Sequence, residues 1–503
     1  MTLGMAAILL MVSGAVAAPP DTLHQQVSAY VAAHQRAIVA ELLELLSIPN
    51  VAADRANIRR NAEHLKGMLV KRGFAAELLE TAGNPLVFGE LRVPGAARTL
   101  LIYSHYDGQP VDPSAWKQAS PFTPVLRDET GTVTNCLQER TIGDCPPSTR
   151  IYARSAADDK SPIVMILAAL DALKANGLQP TSNIRIILDG EEEASSPSLV
   201  PAIAKYRDKF AADLMLIFDG PIHTSSRPTV AFGARGIVTG RLTVYGPKSG
   251  VHSGNYGNWI PNPALRLSHL LASMKDDAGK VLVKGFYDGI APLSPEERQL
   301  VAAVPDDADR MLRAFGVAEP EVAGRSLQEG FQLPTLNIRG LASAHVGAGS
   351  RTIIPDRAVA EIDIRLVKET RAADMKAKLE AHVRAQGYHL LDAAPDDQTR
   401  ASHARIASLD WRETATEAFR TSPLDPQCRA LVAGLERVHG SPPVQIRTLG
   451  GTVPIAPFID ALGFPAALVP TVNFDNNQHE ENENLRLGHF FSGIVTAAAV
   501  LRM

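Results

Sequence analysis

Residues 99–107 have the sequence TLLIYSHYD, a short apolar run that ends in a histidine and an aspartate. The same pattern recurs in NIRIILDGEEE at residues 183–193 and in LMLIFD at residues 214–219. Each stretch is predicted to be a buried strand that ends at acidic or imidazole side chains. Residues 162–174, between the first two strands, are predicted to be a helix with proline in its first turn. Strands that alternate with helices predict an α/β fold with a mixed, mostly parallel sheet.

Five clusters of acidic or imidazole side chains lie along the chain, and most of them follow a predicted strand. Open α/β sheets bind ligands beyond the carboxyl ends of their strands, so these clusters are expected to converge there. Two histidines with several carboxylates suit a pair of divalent metal ions, Zn²⁺ above all, with Co²⁺ or Mn²⁺ as alternatives. The pattern therefore predicts a hydrolase. The clusters lie at residues 104–107, 157–160, 190–193, 218–219 and 478–480.

The length and composition limit the classes of protein to which the chain can belong. At 503 residues it is too long for one compact core, so two or three domains are expected. Hydrophobic residues make up 45% and charged residues 21% of the chain, as is ordinary for a globular protein. A formal net charge of −4 gives no electrostatic basis for binding nucleic acid or an anionic membrane, and neither partner is expected.

The first 18 residues are predicted to be a signal peptide. Residues 4–16 form an apolar run, and the small residues at 15–17 resemble a cleavage site, which together predict a secreted or periplasmic location. A buried N-terminal helix is the alternative. Cys136 and Cys145 bracket a polar segment, and a disulfide between them would suit an oxidising compartment. Two free thiols would fit the same spacing.

The order of predicted elements changes near residue 235, which indicates a second domain inserted into the first. Residues 236–412 contain a β-α-β-β-α-β order, typical of a ferredoxin-like α+β domain that could form a lid. The catalytic domain would comprise residues 19–235 and resume over residues 413–503. The strands of the inserted domain are predicted at residues 241–245, 335–338, 358–366 and 388–391, and its helices at 263–275 and 371–386.

Several short motifs occur in an order that resembles a known family. They are SHYDGQP at 104–110, RSAADDK at 154–160, DGEEEASS at 189–196, HSG at 252–254, GGTVP at 450–454 and HEENE at 479–483. Taken in order, they resemble the M20 family of di-zinc metallopeptidases, which includes carboxypeptidases, dipeptidases and acyl-amino-acid deacylases. The motifs extend over most of the chain, and the ordered set is far more specific than any one of them.

The resemblance implies a role for each residue of the predicted metal centre. Asp158 would bridge two zinc ions. His105 and Asp219 would complete the first metal site. Glu193 and His479 would complete the second.

The resemblance also implies which residues carry out the reaction. Glu192 would act first as the general base and then as the general acid. Asp107 would hold the second ring nitrogen of His105 and so fix its tautomer. His252 would reach the site from the lid of a partner subunit and stabilise the oxyanion, which implies a homodimer.

Substrate binding is assigned on the same resemblance. Arg365 resembles a lid arginine that holds a substrate carboxylate, a task for which the guanidinium fork is suited. Gly451 and Thr452 of the GGTVP motif are expected to contact the substrate as well. The sequence thus predicts a zinc-dependent hydrolase that cleaves dipeptides or removes the C-terminal residue of small peptides. An N-acyl-amino-acid deacylase and, in a different class, a non-catalytic peptide-binding protein are the alternatives.

Some assignments have competitors that the sequence leaves open. Asp159 competes with Asp158 for the bridging position, because only the position in the motif separates them. His223 lies close to Asp219, although the strand end favours the aspartate. His252 could be an ordinary surface histidine.

Other side chains could have simpler roles. His105 could be a polar residue at a strand end, residues 191–193 a solvated loop, and Arg365 an exposed partner of a neighbouring acid. Ser155 and Ser195 stand where the family has glycine. If the backbone there has positive φ, serine carries a steric cost.

Overall fold

The computed structural model describes residues 21–136, 145–322 and 325–503, so the predicted signal peptide at residues 1–18 lies outside the described residues. The helices are α1 (Thr22–Leu46), α2 (Arg55–Lys71), α3 (Lys160–Ala175), α4 (Leu199–Phe210), α5 (Ser253–Tyr256), α6 (Pro263–Ala272), α7 (Pro295–Ala302), α8 (Ala308–Phe315), α9 (Leu327–Gly330), α10 (Ala372–Ala385), α11 (Asp397–Ser402), α12 (Pro426–His439), α13 (Ala456–Leu462) and α14 (Leu487–Leu501). The strands are β1 (Ala75–Leu79), β2 (Leu86–Leu91), β3 (Thr99–His105), β4 (Val125–Arg127), β5 (Arg150–Tyr152), β6 (Asn183–Asp189), β7 (Leu214–Ile217), β8 (Thr229–Ala231), β9 (Gly233–Ala234), β10 (Gly236–Tyr245), β11 (Val251–His252), β12 (Thr335–Ser343), β13 (Ile353–Ile354), β14 (Arg357–Leu366), β15 (His389–Leu391), β16 (Ile406–Trp411), β17 (Phe419–Arg420), β18 (Val444–Ile446), β19 (Ala466–Leu468) and β20 (Asn484–Arg486).

An eight-stranded sheet forms the centre of the molecule, with the strand order β1-β2-β6-β3-β7-β19-β8-β18. Its central strands β6, β3, β7 and β19 are parallel to their neighbours in that group, whereas β1 and β2 add antiparallel pairs at one edge. The sheet is therefore mixed with a parallel centre. The predicted α/β class is confirmed.

Side chains on the central strands alternate between two hydrophobic cores on opposite faces of this sheet. In β3, Leu100 and Ile102 pack into one core, and Leu101 and Tyr103 pack into the other. The first core also contains residues of α1, α3, α12 and α14, and the second contains residues of α4 and α13. Burial of each leucine or isoleucine contributes about 1.5–3 kcal/mol, so this layering holds the strand ends in fixed positions.

A second sheet has the order β12-β14-β10-β16-β15, and α6 and α10 contribute side chains such as Leu267 and Leu379 to its core. The ferredoxin-like order is present, and the strand predicted at residues 388–391 is observed as β15, but β16 was not predicted. The strand next to β10 is β16, while β15 forms only the edge of the sheet. β16 takes this place because Ile406 through Leu409 are all buried, although alanine and serine weaken the apolar pattern in the sequence.

The segment between the first helix and second strand of the inserted region contains α7, α8 and α9. These helices are short, and α7 and α9 each begin with a capping box in which a serine and a glutamate satisfy each other's backbone N–H. The domain boundaries at residues 235 and 412 stay a prediction. No helix within the described ranges is both long and apolar enough to cross a membrane.

The strand order brings the predicted chemistry to one edge of the large sheet. His105, the last residue of β3, is in register with Asp189, the last residue of β6. β7 ends at Ile217, two residues before Asp219, and pairs with the other side of β3. α3 begins at Lys160, so Asp158 and Asp159 precede its N-terminus, where the helix dipole favours negative charge.

Candidate active site

Asp158 lies between the two predicted histidine ligands. Its Oδ1 atom is 2.9 Å from His105 Nε2, and its Oδ2 atom is 3.0 Å from His479 Nε2. Glu193 Oε2 is 3.5 Å from the same nitrogen of His479. One carboxylate therefore presents each of its oxygens to a different imidazole, the arrangement that a bridging ligand of two cations requires.

Two groups of three side chains could each hold a metal ion within the described part of the chain. They are His105, Asp159 and Asp219, and Asp158, Glu193 and His479, and in each group the ligand atoms lie within 4.8 Å of one another. The structure thus brings together the five predicted ligands and adds Asp159 to them.

The geometry separates the two neighbouring aspartates that the sequence left as alternatives. Asp159 Oδ2 accepts hydrogen bonds from the Ser104 hydroxyl and from the backbone N–H of His105. Its Oδ1 is buried and has no hydrogen-bond partner. Asp158, in contrast, directs both oxygens at imidazole nitrogens, which favours it as the bridging residue.

The acids of this cluster repel one another. Burial and the charge of Asp158 raise the pKa of Glu193 to about 7 and that of Asp219 to about 6. Burial also raises the pKa of Glu192 well above its usual value, and the charges of Asp219 and Glu193 add to this. Closely spaced, buried carboxylates with such shifts form a site with excess negative charge, and this donor set fits divalent cations.

The pKa values of the two histidines are raised as well, which favours their charged forms. A hydrogen bond with Asp158 raises the pKa of His479 to about 9. Burial lowers the pKa of His105, but hydrogen bonds with Asp107 and Asp158 outweigh it and leave that pKa well above its usual value. A metal ligand must be a neutral imidazole, so a cation would have to displace these protons.

Asp107 connects His105 to the acidic loop. Its Oδ1 atom is 3.4 Å from His105 Nδ1 and accepts a hydrogen bond of 3.1 Å from the backbone N–H of Glu192. Its Oδ2 atom accepts one of 3.0 Å from the backbone N–H of Glu193. The fully buried Asp107 carboxylate therefore fixes both the ring of His105 and the backbone of Glu192 and Glu193.

Glu483 holds the loop that carries Asp158. Its carboxylate accepts hydrogen bonds of 2.8–2.9 Å from the backbone N–H groups of Ser155, Ala157 and Asp158, and from Arg154 Nη1. The side chain is fully buried. Four donors on one carboxylate make this loop a rigid support for the metal cluster.

Two serines near the cluster have the strained backbone that the sequence suggested. Ser155 has φ of 61° and Ser195 has φ of 72°, in the left-handed region that favours glycine. At Ser155 the hydroxyl accepts a hydrogen bond of 2.9 Å from Asn50 Nδ2, an interaction that glycine could not make and that offsets part of the strain.

The residues predicted to bind substrate form a separate cluster. Arg365 Nη1 donates a hydrogen bond of 2.7 Å to Thr452 Oγ1, which joins β14 to the GGTVP segment. Gly451 is exposed and adjacent to this contact. His252 is exposed on β11, and its Nδ1 accepts a hydrogen bond of 3.0 Å from the backbone N–H of Gly254. His252 has no hydrogen bond or ion pair with the acidic cluster of the described chain.

Sequence reasoning missed several residues that the fold brings to the cluster. Gln478 Nε2 is 3.3 Å from Asp158 Oδ2, and the Gln109 amide donates to the Glu193 carboxylate. Both glutamines lie inside or next to quoted motifs, so their position beside predicted ligands was the available signal. His223 bonds to Asp306 at 3.0 Å and does not join either metal-binding group.

Comparison with known proteins identifies the class to which this fold and site belong. The model of peptidase family M20/M25/M40 matches residues 101–503, so the chain belongs to this family, whose metallopeptidases use a divalent metal. It is an M20-type metallopeptidase.

Individual relatives share the architecture over almost their whole length. The Cys-Gly metallodipeptidase dug1 of Schizosaccharomyces pombe is 26% identical, with 91% of this chain and 93% of that protein covered. The human Beta-Ala-His dipeptidase is 25% identical, with 96% and 92% covered. The crystal structure of the M20 family metallo-carboxypeptidase Sso-CP2 from Sulfolobus solfataricus has a TM-score of 0.73, with 28% identity and 92% and 98% of the two chains covered.

The comparison corrects the predicted location. The prediction of a secreted or periplasmic protein is wrong, because the yeast Cys-Gly metallodipeptidases that match more than nine-tenths of the chain are cytosolic. The apolar run at residues 4–16 has no Lys or Arg before it, so it was weak evidence for export. Cys136 and Cys145 are joined by a disulfide, the one of the two alternatives that the sequence left open.

Proposed function

We propose that the protein is a zinc-dependent hydrolase that cleaves the peptide bond of dipeptides or releases the C-terminal residue of small peptides. The observation that carries this proposal is the position of Asp158, with one oxygen on His105 and the other on His479. The printed functions of the relatives, a Cys-Gly metallodipeptidase, a Beta-Ala-His dipeptidase and a metallo-carboxypeptidase, support the choice of substrate.

The residues that would hold two zinc ions are all within the described cluster. Asp158 would be shared. His105 and Asp219 would complete one site, and Glu193 and His479 the other. When bound, such a pair polarises a carbonyl oxygen and makes a nucleophilic hydroxide available near neutral pH.

Glu192 is the residue that would move the proton. It lies next to the predicted ligand Glu193, and Asp107 fixes the backbone N–H groups of both residues. The raised pKa of Glu192, caused first by burial, suits a carboxylate that accepts a proton from water and donates it to the leaving amine. Glu192 would therefore serve as base and then as acid in one turnover.

The carboxylate end of the substrate would bind at Arg365. This guanidinium already contacts the hydroxyl of Thr452, and Gly451 beside it leaves the segment open, since a Cβ added there would meet no atom within 4 Å. A bidentate pair with the substrate carboxylate would place the C-terminal residue at the junction of the two sheets.

A homodimer would complete the site. His252 is exposed and lies in the inserted region, so in this proposal it serves the site of the partner subunit and stabilises the oxyanion there. The edge strand β12 supports association of two copies, because its exposed side chains include Ile338 and Leu341, and Val346 follows it with 90% exposure.

Substitution of Glu192 by Gln tests the proposed reaction. We expect Glu192→Gln to keep its metal content but to lose dipeptide hydrolysis by about 100-fold or more, because the amide cannot accept the proton. Metal analysis and turnover of Cys-Gly, of Beta-Ala-His and of N-acetyl amino acids would be measured together. The matched control is Glu481→Gln, an exposed residue of the loop that carries His479.

The same panel separates the proposed function from its rivals. Hydrolysis of N-acetyl amino acids in preference to both dipeptides would show a deacylase instead. Full activity of Glu192→Gln would refute its role as the base, and a wild-type chain that binds dipeptides without hydrolysing them would indicate a binding protein.

A further inference from the structure

Arg235 lies at the point where the chain passes from the large sheet to the inserted one. It follows β9 and precedes β10, and its backbone N–H donates to the carbonyl oxygens of Leu449 and Gly451 at 3.2 and 3.1 Å. Its Nε atom donates to the carbonyl oxygen of Gly450 at 3.2 Å. Arg235 is thus hydrogen-bonded to the segment that contains Gly451 and Thr452.

The outer part of the Arg235 guanidinium lies over an aromatic ring and donates no hydrogen bond within the described residues. Its guanidinium carbon lies 5.0 Å from the centre of the Phe331 ring, a distance at which a cation is attracted to the ring face. Within the described ranges, its Nη1 and Nη2 groups donate no hydrogen bond and the side chain forms no ion pair. The Nη1 and Nη2 donors of this residue therefore remain available to a ligand.

A second guanidinium, that of Arg365, binds the same segment. Arg235 binds Gly450, and Arg365 binds the hydroxyl of Thr452, two residues further along the chain. Two residues of extended chain span at most about 7 Å, so both guanidinium groups are attached to neighbouring points. Burial, and then the positive charge of Arg365, lowers the pKa of Arg235 to about 10.

The positive charge of this pair is balanced only in part, by the nearby charge of Asp363. Neither arginine forms a salt bridge with a carboxylate of the described residues. Asp363, whose charge acts on both, accepts a hydrogen bond of 2.9 Å from Asn337 Nδ2 instead. Two partly buried like charges without a carboxylate partner are unfavourable in the free protein, and they make a site that is complementary to an anion.

We propose that Arg235 is a second carboxylate-binding residue of the substrate site, so that Arg235 and Arg365 hold the C-terminal carboxylate of the peptide from two sides. A carboxylate accepts about four hydrogen bonds, enough for both guanidinium groups and the Thr452 hydroxyl. This inference rests on the proposed peptidase function. It adds that the preference for a free C-terminal carboxylate over its amide depends on Arg235 as well as on Arg365.

The test compares Cys-Gly with its C-terminal amide in the metal-loaded wild type and in Arg235→Met. For Cys-Gly we expect KM to rise about 10- to 100-fold in Arg235→Met, because charge-assisted hydrogen bonds to the carboxylate are lost. For the amide, we expect the same substitution to change KM by less than about twofold. Arg235→Lys, which keeps the charge but not the fork, should lie between the two. Arg241→Met is the matched control, since Arg241 is exposed on the neighbouring strand β10 and pairs with Glu361.

The outcomes separate a binding role from a structural one. An equal loss for the acid and the amide would overturn the inference, because it would mean that Arg235 only supports the segment at 449–451. An unchanged KM for Cys-Gly would overturn it as well. Binding of Cys-Gly and its amide to Glu192→Gln, measured by calorimetry with and without Arg235→Met, gives the same comparison without turnover. If the wild type hydrolyses no dipeptide, the proposed function fails, while this binding comparison still decides the role of Arg235.

Discussion

At the scale of single residues, the candidate site depends on a few buried carboxylates that each have several partners. Asp158 faces two imidazoles, Asp107 faces one imidazole and two backbone N–H groups, and Glu483 accepts four hydrogen bonds. Asp158 and Asp107 could be singled out in the sequence, because they stand in motifs after strands. The partners of Glu483 could not, since they are 325 or more residues away along the chain.

Removal of Glu483 should weaken metal binding without touching a ligand. We expect Glu483→Ala to reduce zinc affinity by about 10- to 100-fold, because the loop at Arg154–Asp158 loses the acceptor that fixes it. The measurement is a competition titration against a chromophoric chelator, with the exposed Glu481→Gln as the control. Zinc affinity within twofold of the wild type, in a variant that keeps its melting temperature, would contradict this role.

At the scale of elements, the strands that carry the site could be predicted from their apolar runs, whereas less regular elements could not. β3 and β7 contain unbroken apolar runs, and the run in β6 is interrupted only by Arg185, so their positions and their carboxyl ends could be predicted. β16 could not, because Ala407 and Ser408 weaken its pattern and only the pairing with β10 selects it as a strand. The sequence indicated the left-handed backbone at Ser155 and Ser195 only because serine stands there in place of the glycine of the family motifs.

The junction of α12 with α1 and α14 should make stability depend on pH. Burial, and then the charge of His24, lowers the pKa of His439 to about 4, below the ordinary value of 6.5. The neutral ring is thus favoured in the folded state, so its contribution to stability is present above pH 6.5 and is lost as the pH falls towards 4. Urea unfolding at pH 7 and pH 4.5 should show a loss about 2 kcal/mol larger for the wild type than for His439→Gln.

The comparison of the wild type with His439→Gln removes the effect of carboxylates, whose protonation in acid lowers the stability of both proteins equally. Equal losses of unfolding free energy in the wild type and in His439→Gln would show that His439 is charged in the folded protein. Thr496 Oγ1, which lies 3.1 Å from His439 Nε2, would then have to accept a hydrogen bond from the charged imidazolium.

At the scale of the whole molecule, the second sheet is where sequence reasoning gave an architecture but not a complete site. The ferredoxin-like order could be predicted, whereas the approach of Arg235 and Arg365 to the same segment at 450–452 depends on contacts between residues far apart in the sequence and leaves no local pattern. His252 is exposed, and within the described residues it forms no hydrogen bond or ion pair with the acidic cluster. The proposed role of His252 therefore depends on a second copy of the chain.

Mixing two inactive variants tests this requirement. Glu192→Gln and His252→Ala should each be inactive alone, but their mixture should recover roughly a quarter of the wild-type activity, because half of the dimers would contain one intact site of two. The control replaces His252→Ala by the double variant Glu192→Gln/His252→Ala, which can form no intact site. An absence of recovery in a mixture shown to exchange subunits would exclude a contribution from the partner's lid.

The most direct test of the central claim is a zinc titration of the metal-depleted wild-type protein, with Cys-Gly hydrolysis measured at each step. We predict no hydrolysis in the metal-free protein and a rise in activity that levels off at two zinc ions per chain, one for each of the two groups of possible ligands. Hydrolysis that survives complete removal of metal, or zinc binding that saturates at one ion per chain, would contradict it.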